Sequence, residues 1–278
     1  MNNFNDKVAV ITGAASGIGR AIAFRCASER MKIILADIEQ PALDQAEQAL
    51  RATGAKVLAV RTDVSKVSEV ETLAQKTIDT FGVVHLLFNN AGVGTGSTVW
   101  DSSLTDWQWV MGVNLWGVIY GVWIFVPIML AQDTECHIVN TASIAGLLPN
   151  HPSAPYQVTK HAVVALTENL YYSLAERHAK VNVSVLCPGW VNTRIMDSDR
   201  NRPPELQNEP INETISPELD AIVQEMRHAA QAGLPPQQVA DFVFNAIRAE
   251  QFYILTHPEF TPIVQVRMEN IIQQRNPA

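Results

Sequence analysis

The chain has 278 residues, of which 47% are hydrophobic and 17% are charged, and its formal net charge is −8. This composition is typical of a globular protein and excludes a chain that is mainly disordered. The acidic balance is unfavourable for binding nucleic acid or an anionic membrane, because both need basic patches. Three isolated cysteines, Cys26, Cys136 and Cys187, are not a disulfide framework, which indicates a reducing compartment.

One apolar run, residues 115–130, contains no charged side chain. It is slightly shorter than the roughly 18–20 residues that a membrane span needs, and no Lys or Arg anchors either end. We therefore predict a helix that is buried on both faces in a soluble protein. The first residues of the chain lack the pattern of a signal peptide, so we expect a cytoplasmic location.

Short apolar runs alternate with amphipathic segments along the chain. The runs predict seven buried strands, at residues 7–12, 32–37, 56–61, 84–89, 137–141, 181–186 and 252–256. The other segments predict helices at residues 17–30, 41–52, 65–81, 106–131, 154–177, 217–232, 236–249 and 258–272. This alternation predicts a single α/β domain, residues 1–278, with a parallel sheet that is covered by helices on both faces.

The composition changes after Thr193. Between Met196 and Met226 there are eight acidic residues against two arginines, and four prolines prevent a long helix. We predict that residues 194–235 form a substrate lid inserted within the domain, and that ligand binding orders it.

A glycine-rich turn, Thr-Gly-Ala-Ala-Ser-Gly-Ile-Gly at residues 12–19, joins the first strand to the first helix. Glycines let the backbone approach a pyrophosphate, and a helix N-terminus supplies free N–H donors. The turn therefore predicts a dinucleotide site. Asp37 ends the second strand, where a carboxylate accepts hydrogen bonds from the adenosine ribose and repels a 2′-phosphate, which favours NAD over NADP.

Tyr156 and Lys160 are four residues apart, so they share one face of a predicted helix. A neighbouring ammonium group stabilises a phenolate, which otherwise forms only near pH 10. Ser143 follows the fifth strand, and an Asn-Asn-Ala-Gly turn at residues 89–92 follows the fourth. Because ligands bind beyond the carboxyl ends of strands in a doubly wound sheet, these signals converge on one edge of the sheet.

From Lys7 to about Thr193 the sequence resembles the short-chain dehydrogenases/reductases. The resemblance is carried by the two glycine-containing turns and by Asp63, Asn114, Ser143, Tyr156, Lys160, Pro188, Gly189 and Thr193. It implies a Rossmann-like, doubly wound, seven-stranded parallel sheet.

The resemblance also implies roles for four catalytic residues. Tyr156 is the general acid/base, and Ser143 orients the substrate oxygen. Lys160 binds the nicotinamide ribose and lowers the pKa of Tyr156, while Asn114 holds a water of the proton relay.

The glycine turn and the resemblance together define an expected cofactor site. Asp63 is expected beside the adenine, and Val191 and Thr193 beside the nicotinamide carboxamide. The complete set is Gly13, Ser16, Gly17, Ile18, Gly19, Asp37, Asp63, Val64, Asn90, Ala91, Gly92, Tyr156, Lys160, Pro188, Gly189, Val191 and Thr193.

The expected substrate residues are mainly small or apolar: Thr95, Ala145, His151, Trp190 and Met196. We therefore predict an NAD-dependent oxidoreductase that acts on a neutral, bulky secondary alcohol or ketone. An NADPH-dependent carbonyl reductase of the same fold and a non-catalytic NAD(H)-binding regulator stay open as alternatives. No metal site is expected, because the seven histidines show no paired ligand spacing. The family implies a homodimer or homotetramer.

Overall fold

The computed structural model describes residues 1–95, 97–149, 153–208 and 217–277. Within these residues, seven parallel strands form one sheet in the order β3-β2-β1-β4-β5-β6-β7. The strands are β1 (Val8–Thr12), β2 (Lys32–Asp37), β3 (Lys56–Arg61), β4 (Leu86–Asn89), β5 (Cys136–Thr141), β6 (Val181–Cys187) and β7 (Tyr253–Leu255).

The helices of the described residues lie between and after these strands. They are α1 (Gly17–Ser28), α2 (Gln40–Ala52), α3 (Val67–Phe81), α4 (Leu104–Met111), α5 (Gly117–Gln132), α6 (Ala154–Glu176), α7 (Pro217–Gln231), α8 (Pro236–Ala249) and α9 (Thr261–Ile272).

Both faces of the sheet are apolar because successive side chains of a strand point to opposite sides. In β1, Ala9 and Ile11 pack into a core with α1, α2 and α8, whereas Val10 packs into a second core with α3, α5 and α6. This arrangement confirms the predicted doubly wound, Rossmann-like α/β fold. The strand order reverses between β1 and β4, which opens a crevice at the carboxyl ends of these strands.

The long apolar helix differs in detail from the prediction. It begins at Leu104 rather than residue 106, because Ser103 and Asp106 form a capping box at its N-terminus. A π-helical turn, Gly112–Trp116, separates α4 from α5. By length and composition alone, the combined helix Leu104–Gln132 is apolar enough to cross a membrane, with a mean hydropathy of 1.9. Its Phe125 and Met129 are fully buried in the core on one face of the sheet, so the helix is a layer of this domain.

Within the described part of the predicted lid, residues 194–208 and 217–235, the 3₁₀ helices Ile195–Asn201 and Pro204–Leu206 precede α7. The first of these is fixed to the domain, since the Ser198 hydroxyl accepts a hydrogen bond from the Gly94 N–H at 3.0 Å. This part of the chain therefore lies against the loop that follows β4.

Candidate functional site

The glycine turn after β1 leaves no room for side chains. Gly13 has a φ of +65°, and a Cβ there would lie 2.8 Å from the Ala91 Cα. A Cβ on Gly19 would lie 2.2 Å from the Gly13 carbonyl oxygen. The side chain of Ser16, the N-cap residue of α1, makes no capping hydrogen bond, so the first N–H groups of this helix are available to an anion. This cradle fits the pyrophosphate of a dinucleotide.

The turn after β4 is tied to the glycine turn. The Thr12 hydroxyl accepts hydrogen bonds from the N–H groups of Asn90 at 2.9 Å and Ala91 at 3.1 Å. The Asn90 amide group donates back to the Thr12 carbonyl oxygen at 3.1 Å. The two turns therefore form one surface at the edge of the sheet.

Two carboxylates border the crevice near the ends of β2 and β3. Asp37 accepts hydrogen bonds from the N–H groups of Ala15 and Glu39, both at 3.0 Å. Burial raises the pKa of Asp37, and these backbone hydrogen bonds oppose the effect. Asp63 accepts from the Ser65 N–H at 3.0 Å and the Ser65 hydroxyl at 2.6 Å. Both carboxylates are thus oriented by the backbone around them.

Tyr156 and Lys160 lie on α6, on the far side of the crevice. The Lys160 ammonium donates a hydrogen bond to the Thr141 carbonyl oxygen at 2.9 Å and lies 5.4 Å from the centroid of the Tyr156 ring. Burial lowers the pKa of Lys160 to about 8. Burial also raises the pKa of Tyr156, and a hydrogen bond with the side chain of Ser143 opposes this rise.

Ser143 follows β5 and precedes a short 3₁₀ turn, Ile144–Gly146. Its hydroxyl accepts a hydrogen bond from the Ala145 N–H at 3.1 Å and donates to the Pro188 carbonyl oxygen at 3.4 Å. These two contacts hold the hydroxyl beside Tyr156.

Asn114 lies in the π-helical turn and is fully buried. Its side chain accepts from the Val93 N–H at 2.8 Å and donates to the Val93 carbonyl oxygen at 2.9 Å. The same amide group approaches the Thr159 hydroxyl at 3.3 Å. Turns of this kind are frequent at functional sites. In this protein the π-helical turn places the Asn114 side chain behind Gly92.

These features surround one cavity of about 1280 Å³. Of the described site residues that the sequence predicts, all except Gly19 and Asn114 line it. Gly19 instead packs against Gly13, and Asn114 lies one layer behind Gly92. His151, one of the predicted substrate residues, lies outside the described residues. The other four, Thr95, Ala145, Trp190 and Met196, line the cavity.

Sequence reasoning missed a large part of the cavity wall. Two helices that are distant in sequence border it, α7 through Val223 and Met226, and α9 through Ile263 and Val266. Trp109 on α4 also borders the cavity. The sequence shows that α9 has regularly spaced apolar residues, but no local pattern shows which part of the protein its apolar face contacts.

A second missed residue is His257, which follows β7. Its Nδ1 accepts a hydrogen bond from the Gly189 N–H at 3.1 Å, and its Nε2 donates to the Trp190 carbonyl oxygen at 3.0 Å. The ring of Phe260 covers Gly189, where a Cβ would lie 2.7 Å from the Phe260 Cε2. Both residues thereby hold the segment that follows β6 against the cavity.

Among residues 1–95, 97–149, 153–208 and 217–277, no group of three His, Cys, Asp or Glu side chains has an arrangement that could hold a metal ion. The polar groups at the cavity are instead a phenol, an ammonium, a hydroxyl and backbone N–H groups. Together they are suited to proton transfer beside a bound dinucleotide.

Comparison with known proteins identifies the class. A family model described as short chain dehydrogenase matches residues 7–204. The chain belongs to the short-chain dehydrogenase/reductase family of oxidoreductases, as its motifs predicted.

Individual relatives agree with this membership. A short-chain dehydrogenase/reductase from Burkholderia phymatum, solved in complex with NAD, superimposes with a TM-score of 0.96 at 48% identity, covering 100% of this chain and 98% of that one. A CLA biosynthesis dehydrogenase/reductase of Lactiplantibacillus plantarum is 36% identical over 100% of this chain and 97% of its own length. A cyclohexanol dehydrogenase of an Acinetobacter strain is 34% identical over 70% of this chain and 77% of its own length.

Proposed function

We propose that this protein is an NAD-dependent dehydrogenase that interconverts a bulky, apolar secondary alcohol and its ketone. The observation that carries the proposal is the grouping of Tyr156, Ser143 and Lys160 on the wall of the same cavity that the glycine turn opens. A protein that only binds a dinucleotide needs the glycine turn but has no need of a phenol beside a hydroxyl and a buried ammonium group.

The cofactor is NAD. The uncapped N-terminus of α1 would hold the pyrophosphate, and Asp37 would accept hydrogen bonds from the adenosine ribose. A 2′-phosphate on that ribose would meet the Asp37 carboxylate. The similar protein from Burkholderia phymatum also carries NAD. When bound, NAD supplies the acceptor for the hydride that leaves the carbinol carbon.

The protein side chains carry out the proton chemistry. The Tyr156 Oη, as a phenolate, accepts the hydroxyl proton of the alcohol while the carbon–oxygen bond becomes a carbonyl. The Ser143 hydroxyl holds the substrate oxygen beside Tyr156. The Lys160 ammonium lies near the Tyr156 ring and stabilises the phenolate. Asn114 supports the site from behind and holds the water through which the proton leaves.

The surroundings of Tyr156 favour an uncharged, apolar reacting part of the substrate. Tyr156 packs beside Val93 and Trp109, and Leu148 and Ala145 line the same cavity. A cyclohexanol dehydrogenase is among the relatives of this chain, and cyclohexanol is a neutral cyclic secondary alcohol. We also propose that the lid, residues 194–235, closes the substrate end of the cavity.

The outer faces of α5 and α6 suggest how the protein assembles. Trp123 on α5 and Tyr172 on α6 are 64% and 67% exposed. Burying such aromatic side chains against a second copy is favourable. We propose a homodimer or homotetramer, located in the cytoplasm.

The test is the formation of NADH from NAD with a panel of cyclic, benzylic and aliphatic secondary alcohols. We expect turnover with several of them and almost none with Tyr156→Phe, which keeps the ring but lacks the proton acceptor. This variant should still bind NAD. Binding of NAD without turnover over the whole panel would contradict the proposal and favour a non-catalytic regulator. A clear preference for NADP would favour the alternative carbonyl reductase.

A further inference from the structure

Five arginines border the cavity, and they differ in whether a carboxylate already neutralises them. Arg194 and Arg200 both form ion pairs with Glu39, at 3.5 and 3.1 Å. Arg227 forms an ion pair with Asp197 at 2.5 Å. The remaining two, Arg267 and Arg275, have no carboxylate within ion-pair distance among the described residues.

Arg267 is the stronger of these two candidates, because it is partly buried whereas Arg275 is exposed. A guanidinium group cannot lose its charge in a protein. The charge of Arg267 therefore persists where it borders the cavity, and an anionic group of a ligand could pair with it.

The position of Arg267 on α9 directs it to the cavity. The residues of α9 that border the cavity recur at a helical spacing, which places them on one face: Ile263, Val266, Arg267, Asn270 and Ile271. Glu269 lies on another side of the helix, where it accepts a hydrogen bond from the Gln265 side chain at 2.8 Å. Glu269 is therefore not paired with Arg267, and the neighbours of Arg267 on the cavity face of α9 are uncharged.

The same helix places Arg267 away from the reacting carbon. Phe260 directly precedes α9 and covers Gly189, whose neighbour Pro188 accepts the hydrogen bond of Ser143. Arg267 lies seven residues beyond Phe260, which corresponds to about 10 Å along a helix axis. In an α-hydroxy acid the carboxylate adjoins the carbinol carbon. An anion held by Arg267 would instead lie at the far end of a longer substrate.

The carboxylates that border the cavity are engaged elsewhere. Asp37 and Asp63 accept backbone hydrogen bonds at the end of the cavity where the cofactor is proposed to bind. Asp199 is 80% exposed and points towards Arg202 at 3.9 Å. None of these three groups is paired with Arg267.

We propose that Arg267 binds an anionic group at the far end of the substrate, with Arg275 in a supporting position. The preferred substrates are then amphipathic secondary alcohols with an apolar body and a carboxylate remote from the hydroxyl group. This inference rests on the proposed function. It departs from the wholly neutral substrate that the sequence favours, because α9 was not among the predicted walls.

The experiment compares mid-chain hydroxystearic acid with its methyl ester, in which a methyl group removes the charge of the far end. Oxidation with NAD is measured for the unmodified enzyme and for Arg267→Gln, Arg267→Lys and Arg227→Gln. Arg227 is the matched control, because it borders the same cavity but is already paired with Asp197. The readout is kcat/KM for the acid divided by kcat/KM for the ester. A partial loss of folded enzyme lowers both values equally and so leaves this ratio unchanged.

We expect the unmodified enzyme to prefer the acid by about tenfold or more, as a charge-assisted contact worth about 1.4 kcal/mol would give. Arg267→Gln should abolish most of this preference, and Arg267→Lys should keep part of it. Arg227→Gln should leave the ratio within about twofold, in keeping with additivity at independent sites.

Equal use of acid and ester by the unmodified enzyme would overturn the inference. An unchanged ratio in Arg267→Gln would do the same. Loss of NAD affinity in Arg267→Gln would also overturn it, because the anion would then be the cofactor pyrophosphate. If neutral alcohols are oxidised without any preference for the acid, only this inference fails. If no alcohol yields NADH, the proposed function fails first.

Discussion

Arg202 and Asp106 form a buried ion pair of 2.7 Å, with side chains that are only 8% and 9% exposed. The pair joins the segment after β6 to the first turn of α4, where Asp106 also belongs to the capping box. The Arg202 guanidinium lies over the Trp109 ring, 5.1 Å from its centroid. Trp109 in turn packs in the apolar cluster that includes Tyr156 and Leu206. The ion pair therefore connects the predicted lid with the wall beside the proposed catalytic tyrosine.

Removing one partner of this pair should be strongly destabilising, because it leaves the other charge buried and unpaired. Burial alone would raise the pKa of Asp106, but hydrogen bonds from Asn208 and Arg202 outweigh it and lower the pKa. We expect Asp106→Ala to reduce the free energy of unfolding by about 3–5 kcal/mol, measured by urea denaturation. Lys180→Ala, which breaks an exposed ion pair with Asp133, should cost less than about 1 kcal/mol. Equal losses in the two variants would contradict this prediction.

Asp37 should determine the choice of cofactor. We expect the unmodified enzyme to prefer NAD over NADP by more than about tenfold in kcat/KM, which is about 1.4 kcal/mol. Asp37→Ala should narrow this preference, because it removes the charge that repels a 2′-phosphate. Steady-state kinetics with both cofactors checks the prediction. Equal or better use of NADP by the unmodified enzyme would refute the role of Asp37.

Lys160 should set the pH at which alcohol oxidation becomes fast. Burial raises the pKa of Tyr156, so the phenolate depends on the nearby ammonium. In Lys160→Gln we expect kcat for oxidation to fall by about a hundredfold or more, a typical acid/base contribution. The pH dependence of kcat in this variant should also shift to higher pH, and the variant should bind NAD more weakly. A variant that is only slower, with an unmoved profile, would indicate that Lys160 has a structural role.

His137 should make the protein sensitive to acid. Burial lowers the pKa of this imidazole from 6.5 to about 3, while its Nε2 contacts the Ser184 hydroxyl at 2.8 Å. The unfolded chain binds a proton near pH 6.5 and the folded chain does not. The free energy of unfolding therefore falls as the pH drops from about 6.5 towards 3, by up to about 1.4 kcal/mol per unit for this group.

The variant His137→Gln cannot titrate, so it should lose less stability in acid. Between pH 6.5 and 5 we expect the unmodified protein to lose about 1.7 kcal/mol more than the variant. Denaturant unfolding at the two pH values gives this difference directly. Parallel losses in both proteins would show that His137 is not the group responsible.

The exposed aromatic residues of α5 and α6 should lie in a subunit interface. We expect light scattering to show a dimer or tetramer at micromolar concentration. Trp123→Glu should shift the protein towards the monomer, because it places a charge in an apolar contact. The exposed Lys56 lies on the edge strand β3, so Lys56→Glu serves as the control and should leave the assembly unchanged. A stable monomer of the unmodified protein would disprove the proposed interface.

The sequence by itself determined the fold class and the ends of the strands where ligands bind. The apolar runs and the amphipathic segments are local patterns, and the handedness of strand–helix–strand units leaves few ways to combine them. The glycine turn at residues 12–19 and the spacing of Tyr156 and Lys160 are likewise readable along the chain. Their convergence on one cavity follows from the parallel sheet, and the structure shows this cavity.

Only the tertiary structure decided which distant side chains complete the cavity and which charges are neutralised. The ion pairs of Arg200 with Glu39 and Arg202 with Asp106 join residues far apart in sequence, and no local periodicity encodes such pairs. The same holds for the hydrogen bond between His257 and the Gly189 N–H. It also holds for Arg267, which borders the cavity and has no carboxylate partner in the part of the chain that the structure describes. A sequence pattern shows that a helix has an apolar face, whereas the surface that this face meets depends on how the whole chain packs.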